Sequence, residues 1–284
     1  MSPEVGIGRS YRRSSWLERL GGYLSATVAA AGLQKVLTPV YQAALGWVGG
    51  DRLVATLPGG ERVRIDPAHR QLAWNAEEYA AFKAAVQPGA TVLDVGANLG
   101  AYTVLFARWV GPQGRVIAFE PAPASRDGLE RQLALNGAAD RVAVRPEAVA
   151  AAGGVRPFRA DAMQGDNRLN VGDAGPGVIL VETTSLDEFC AREDVNPDVI
   201  KIDVEGAELD VLRGARTTIA RGGAGLALFI ELHPLVWPTM GVTQADVESE
   251  LRAQGLTLER IDGGGDPWAI TGVCLRARHR PCAS

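Results

Sequence analysis

The chain predicts a doubly wound α/β domain on a mostly parallel, seven-stranded sheet, with an antiparallel last strand and a helical N-terminal extension. Three observations carry that expectation. From Thr91 onward, short β-branched runs alternate with helix-length amphipathic segments, the pattern of parallel strands joined by helical crossovers. A glycine-punctuated turn, Gly96 to Gly100, follows the first of those runs directly. The last two strand-like runs are separated only by the glycine-rich stretch 262–266. That is too short for a crossover, so the two pair as a hairpin and the final strand runs antiparallel.

In chain order, residues 1–50 form the extension, with one or two helices over Ser15 to Trp47 and Pro39 starting or kinking the second. Residues 51–284 form the main domain, with 51–89 leading into a core at 90–284. In the lead-in, Leu53 to Leu57 and Arg62 to Ile65 read as a hairpin around Pro58-Gly59-Gly60. Trp74 to Val86 reads as a helix stopped by Pro88-Gly89, bringing Glu77 and Glu78 towards the glycine turn as surface acids. Core strands are expected at 91–95, 115–119, 142–146, 198–202, 225–232, 257–261 and 269–276. Helices are expected at 101–110, 124–136, 185–193, 206–220 and 243–254. Ser185 with Glu188 makes a capping box, Thr243 with Asp246 comes close to one, and Gly255 ends the last helix. Between Glu147 and Thr183 the pattern loosens, although Val155 to Arg159 suits a strand. The polar stretch 160–177 reads as a lid or adenine-side loop, with a solvated excursion as the alternative.

Composition narrows the function classes. The 284 residues are 46% hydrophobic and 22% charged, as in a soluble globular protein. A net charge of -4 gives no global basic field for nucleic acid. Arginines at both ends, Arg9, Arg12, Arg13 and Arg19, then Arg276, Arg278 and Arg280, read as solvated termini. Cys190, Cys274 and Cys282 make neither a disulfide framework nor a metal-ligand spacing, which suits a reducing compartment. No secretory pattern or membrane span is read in the N-terminal stretch, so a cytoplasmic protein is expected. Its helices would pack on the body or on a second copy, giving a homodimer.

The glycine turn points to a ligand. A strand, a tight turn and a helix place bare backbone and free helical N–H groups at the carboxyl edge of the sheet. Asn98 stands where a dinucleotide fingerprint needs its second glycine, and Asp94 precedes the turn. An acid there suits an ammonium or hydroxyl groups better than a diphosphate. Glu120, at the tip of the next strand and about 20 residues beyond the turn, is placed to hold ribose hydroxyls. A ribose, a positive charge and no diphosphate describe S-adenosylmethionine.

At this point a resemblance is visible. VLDVGANLGAYT, AFEPAPA, SLDEF, DVIKIDVEGAELDVLRGA and FIELHP resemble the FkbM family of S-adenosylmethionine-dependent methyltransferases, from about Asp51 to near the C-terminus. The stretch Ile200 to Ala215 is the most specific. The resemblance implies a Rossmann-like class I methyltransferase fold and O-methylation of a small-molecule hydroxyl, on a sugar or natural product, leaving S-adenosylhomocysteine. Candidate cofactor contacts are Asp94, Gly96, Ala97, Asn98, Gly100, Tyr102 and Thr103 around the turn, Glu120 and Pro121 after the second strand, Glu147 and Ala148 after the third, Asp161 (with Asp166 and Asn167) in the loop, and Asp203.

The candidate catalytic residues are His233, Asp203, Glu205 and Glu231. Alternation in an extended segment would turn Asp203 and Glu205 the same way. One would orient the acceptor or the sulfonium, the other would cap the following helix, and Lys201 would neutralise one of them. Glu231 ends an apolar run, where a carboxylate is buried unless it serves a site. His233 is the expected general base, since histidine best accepts a hydroxyl proton near neutral pH. The four could instead hold magnesium, calcium or manganese; the metal-free reading is preferred. Trp237, Met240 and Trp268 read as core residues, with an acceptor-pocket role as the alternative. Two rivals stand beside the methyltransferase: a nicotinamide-dependent oxidoreductase and a catalytically silent nucleoside-binding partner subunit.

Overall fold

The computed structural model describes residues 53–69, 72–160, 167–169, 177–269 and 273–280. The expected N-terminal helices, the homodimer through them, Asp161, Asp166 and Cys282 lie outside the described residues.

A hairpin, β1 (Val54–Thr56) and β2 (Arg62–Arg64), opens the described chain, followed by α1 (Ala76–Ala85). Asn75 caps α1 by accepting the N–H groups of Glu77 and Glu78. Then come β3 (Thr91–Val95), α2 (Ala101–Trp109), β4 (Arg115–Phe119), α3 (Pro123–Leu135) and β5 (Val142–Arg145). The short strands β6 (Ala148–Val149), β7 (Gly154–Arg159), β8 (Arg168–Leu169) and β9 (Val178–Thr184) follow. The remainder is α4 (Leu186–Arg192), β10 (Val199–Ile202), α5 (Glu208–Arg213), α6 (Arg216–Gly222), β11 (Ala227–Glu231), α7 (Gln244–Ala253), β12 (Leu256–Arg260) and β13 (Cys274–His279).

Seven strands form one sheet in the order β12-β13-β11-β10-β3-β4-β5. Neighbours from β11 to β5 are parallel, and β13 runs antiparallel to both β11 and β12. The chain moves from β3 outwards to β5, then returns to β10 on the other side of β3. The strand order therefore reverses between β3 and β10, and a crevice opens at their carboxyl ends.

Alternation along the strands builds two cores. Val92, Val116, Ala118 and Phe229 join Phe82, Val104 and Phe106 of α1 and α2 on one face. Leu93, Ile117, Ile200 and Leu228 join Leu186, Leu209, Ile219 and Leu251 on the other. The hairpin residues Ala55 and Val63 belong to the first core, so the lead-in packs into the main domain.

Four expectations are corrected. The loosened stretch holds a second sheet, in the order β6-β9-β7-β8, with β9 missing from the expected strands. The helix expected over 206–220 is two helices, broken at Gly214. A Cβ on Gly214 would lie 2.1 Å from the carbonyl oxygen of Ala150, so the chain turns where the backbones touch. Asp187 then caps α6, accepting the N–H groups of Thr217 and Thr218. The last strand begins at Cys274, because the chain is still turning on Asp266 at Trp268 and Ala269. Finally, of the C-terminal arginines read as solvated, Arg276 sits over the Phe229 ring at 5.2 Å because β13 lies inside the sheet, whereas Arg278, paired with Glu259, and Arg280 are exposed. Both capping boxes form as expected.

Candidate functional site

The turn after β3 and the turn after β10 press against each other. A Cβ on Gly96 would fall 1.7 Å from the carbonyl oxygen of Asp203. Glycine is therefore required there by the neighbouring backbone, a reason the sequence did not reveal. Asn98, at φ 48°, directs its N–H onto the Glu120 carboxylate at 2.8 Å. The other Glu120 oxygen accepts the N–H of Ala122 at 2.9 Å. Only 3% of Glu120 is exposed. Burial raises its pKa to about 7, against the pull of those two N–H groups. Gly96, Asn98, Glu120 and Pro121 line one side of a cleft. Ala148, Phe158, Asn167, Leu169, Asp203 and Glu205 line the rest.

Asp94 lies beneath the turn and does not line the cleft. Its Oδ2 accepts the Thr103 hydroxyl at 2.6 Å, and its Oδ1 lies 3.6 Å from Lys201 Nζ with no hydrogen-bond partner. Burial raises its pKa, opposed by Lys201 and Thr103. Thr103 is thus placed to hold Asp94. Tyr102 packs edge-on to Phe82, and its hydroxyl accepts the Asn75 N–H. Ala97 is buried and donates its N–H to the Phe119 carbonyl. Gly100 takes a left-handed conformation at the start of α2. Glu147 lies off the cleft, within 4.0 Å of Arg192.

The expected catalytic group does converge. His233 Nε2 lies 3.5 Å from Glu205, 3.6 Å from Glu231 and 3.9 Å from Asp203. The route differs from simple alternation, because β10 ends at Ile202 and Glu205 takes φ 48°. A non-glycine residue in that region is strained, and such strain gathers at functional sites. The N-cap of α5 is Ala207, which makes no side-chain cap.

Glu208 was missed. It stands in the first turn of α5, where an acid reads as a partner of the helix dipole. Its carboxylate is fully buried, lies 2.7 Å from His233 Nδ1, and accepts the Trp237 Nε1–H at 2.7 Å and the Gly206 N–H at 2.9 Å. Glu78 was underweighted. It is half-buried, and its pKa is raised by burial while Tyr102 and Lys201 oppose the shift. Trp237 is a core residue, as read.

Lys201 is buried among these acids, with Nζ 3.2 Å from Asp203. Burial disfavours its charge, but Asp203, Asp94 and Glu231 outweigh that and raise its pKa. Burial likewise pulls the His233 pKa down, yet Glu208, Glu205 and Asp203 carry it up to about 9. Burial, with Asp203, pushes Glu231 up to about 8. The carboxylates of Glu78, Asp94, Asp203, Glu205, Glu208 and Glu231 outnumber the two basic groups, Lys201 and His233. Such a site favours a cationic ligand or takes up protons. Asp203, Glu231 and His233 offer atoms within 4.8 Å of one another, a spacing that suits a divalent ion. Lys201 and a protonated His233 supply positive charge at the same place.

Residues 94–257 match the family described as the methyltransferase FkbM domain. The chain is similar to the methyltransferase sdnD of Sordaria araneosa, 29% identical over 154 residues, covering 43% of this chain and 59% of that protein. It is similar to the 2-O-methyltransferase NoeI of Sinorhizobium fredii, 27% identical over 152 residues, covering 48% of this chain and 61% of that protein. It is also similar to the hexuronic acid methyltransferase AglP of Haloferax volcanii, 27% identical over 180 residues, covering 59% of this chain and 65% of that protein. The chain thus spans about three fifths of the length of these relatives.

Proposed function

The chain belongs to the FkbM methyltransferase family, and from that premise we propose that it moves a methyl group from S-adenosylmethionine to a hydroxyl of a small molecule, a sugar or natural-product scaffold. One observation carries the reading. A single cleft joins the buried Glu120 carboxylate and the Gly96–Asn98 turn to the Asp203–Glu205 turn, and His233 stands within 3.5 Å of Glu205. The donor set suits the cofactor: a carboxylate for the ribose diol, and surplus negative charge for an ammonium and a sulfonium. Oxygen as the acceptor draws support from two relatives, one named a 2-O-methyltransferase and one a hexuronic acid methyltransferase.

When bound, S-adenosylmethionine supplies a methyl group activated by a positively charged sulfur. The chain's own residues do the rest. Glu120 binds the ribose hydroxyls with the lone pairs its two backbone partners leave free. Asn98 and Gly96 bound the methionyl side. Neutral His233 accepts the acceptor's hydroxyl proton at Nε2, and Asp203, Glu205 and Glu231 stabilise the imidazolium that results. Lys201 brings a positive charge beside Asp94 and Asp203 in a buried setting. The reading needs no metal, and it takes a small molecule rather than nucleic acid as the acceptor.

The experiment is incubation of purified protein with methyl-labelled S-adenosylmethionine and a panel of sugars, glycosides and polyketide alcohols. Label on an acceptor oxygen, lost in His233→Asn, supports the proposal. Label on nitrogen or carbon would contradict it. Adenosyl binding without turnover on any acceptor would favour the silent-module reading.

A further inference from the structure

We infer that Glu208 is the positioning residue of this site: its buried carboxylate fixes the His233 ring so that the proton sits on Nδ1 and Nε2 faces the carboxylates. The consequence for turnover rests on the methyl-transfer reading above; the geometry does not.

A carboxylate accepts hydrogen bonds and has none to donate. Trp237 Nε1 and the Gly206 backbone offer only N–H groups, and they occupy Oε2 and Oε1 of Glu208 at 2.7 and 2.9 Å. His233 Nδ1, 2.7 Å from Oε1, must therefore be the protonated nitrogen. In the neutral ring the bare lone pair is then on Nε2, the atom that faces Glu205, Glu231 and Asp203. Glu208 is 0% exposed and Trp237 1% exposed, so neither has room to turn away. The three partners also tie the turn after β10, the start of α5 and the segment after β11 into one unit. Those are the segments that carry the catalytic groups.

The groups facing His233 are Glu208 from α5, Asp203 and Glu205 from the turn after β10, and Glu231 from β11. Lys201 and Glu78 stand behind Asp203 and Glu231. Burial works against a charged imidazole here, and Glu208 is the largest opposing influence.

The test uses the full chain with histidine labelled at its ring nitrogens. The three histidines, His69, His233 and His279, are separable, and His233→Asn assigns the signal. Above its pKa, wild-type His233 is expected as the Nδ1–H tautomer. An Nε2–H tautomer overturns the inference with no variant needed. In Glu208→Gln the titration of His233 should move down by about one unit or more. Its kcat should fall ~10–100-fold, the usual effect of losing a supporting partner, with KM for S-adenosylmethionine within about twofold. An unmoved titration overturns the inference. If no acceptor is methylated while wild-type His233 carries its proton on Nδ1, the methyl-transfer reading fails and the positioning role stands.

Discussion

Lys201 and Asp94 are partners across the adjacent parallel strands β10 and β3, with Nζ 3.6 Å from Oδ1 and both side chains nearly out of solvent. The contact links the strand that leads into the glycine turn to the strand that leads into Asp203. Removing one member of such a pair leaves an uncompensated buried charge. Lys201→Met should therefore lower unfolding stability by about 3–5 kcal/mol in urea melts. The double variant Lys201→Met with Asp94→Asn should recover part of that loss. A single-variant loss below ~1 kcal/mol would show that solvent reaches the pair.

His233 is asked to take a proton, yet its surroundings hold its pKa up to about 9. The reactive, neutral form is thus a minor species at neutral pH. The acceptor kcat/KM should climb about tenfold per pH unit from 6 towards 9, then level. His233→Asn should cost ~10²-fold in kcat while leaving cofactor affinity within about twofold. A flat pH profile, or a variant with normal turnover, would remove the base assignment.

The same shifts act on stability. His233 rises to about 9 from an ordinary 6.5, Glu231 to about 8 and Glu120 to about 7 from 4.5. Each group binds protons more tightly folded than unfolded. Its contribution is whole below the unfolded value and is lost as pH rises through the folded one. The ligand-free protein should therefore lose thermal stability steadily between pH 5 and 9, and Glu231→Gln should flatten that slope. Glu61, Asp66 and Asp262, whose pKa values are lowered, act below this window. A Tm that rises with pH across the window would contradict the charge assignment.

Glu120 accepts two N–H groups and lines the cleft. Glu120→Gln removes the charge but little volume. It should weaken S-adenosylhomocysteine binding at least tenfold, since a charge-assisted hydrogen bond contributes about 1.5–3 kcal/mol. Unchanged binding in a titration would show that the ribose lies elsewhere.

Much of this was legible in the sequence because local pattern and global topology agree. The strand at 91–95, the glycine turn, both capping boxes and the closing antiparallel hairpin follow from residue type and spacing. What was not legible depends on contacts between distant segments. Gly96 is required by the Asp203 backbone, and Gly214 breaks a helix because Ala150 passes beside it. Glu208 looked like any acid in a first helical turn; only the return of His233 and Trp237 from β11 shows its use. The run Val178–Thr184 has strand-forming residues, but its partners are short and irregularly spaced, so no period announced a second sheet.

Metal dependence follows from the same charges. Lys201 and protonated His233 supply the positive charge that a divalent ion would bring to Asp203 and Glu231. Exhaustive chelation should leave turnover intact. A loss reversed by magnesium or manganese would move Asp203, Glu231 and His233 from proton handling to ligation.

The central claim is that the cleft between the two turns binds an adenosyl sulfonium. Calorimetric titration of the purified protein with S-adenosylmethionine, S-adenosylhomocysteine and NAD tests it most directly. The expected result is saturable one-site binding of both adenosyl ligands and none of NAD, with the affinity reduced in Glu120→Gln. Binding of NAD alone, or of none of the three, would contradict it.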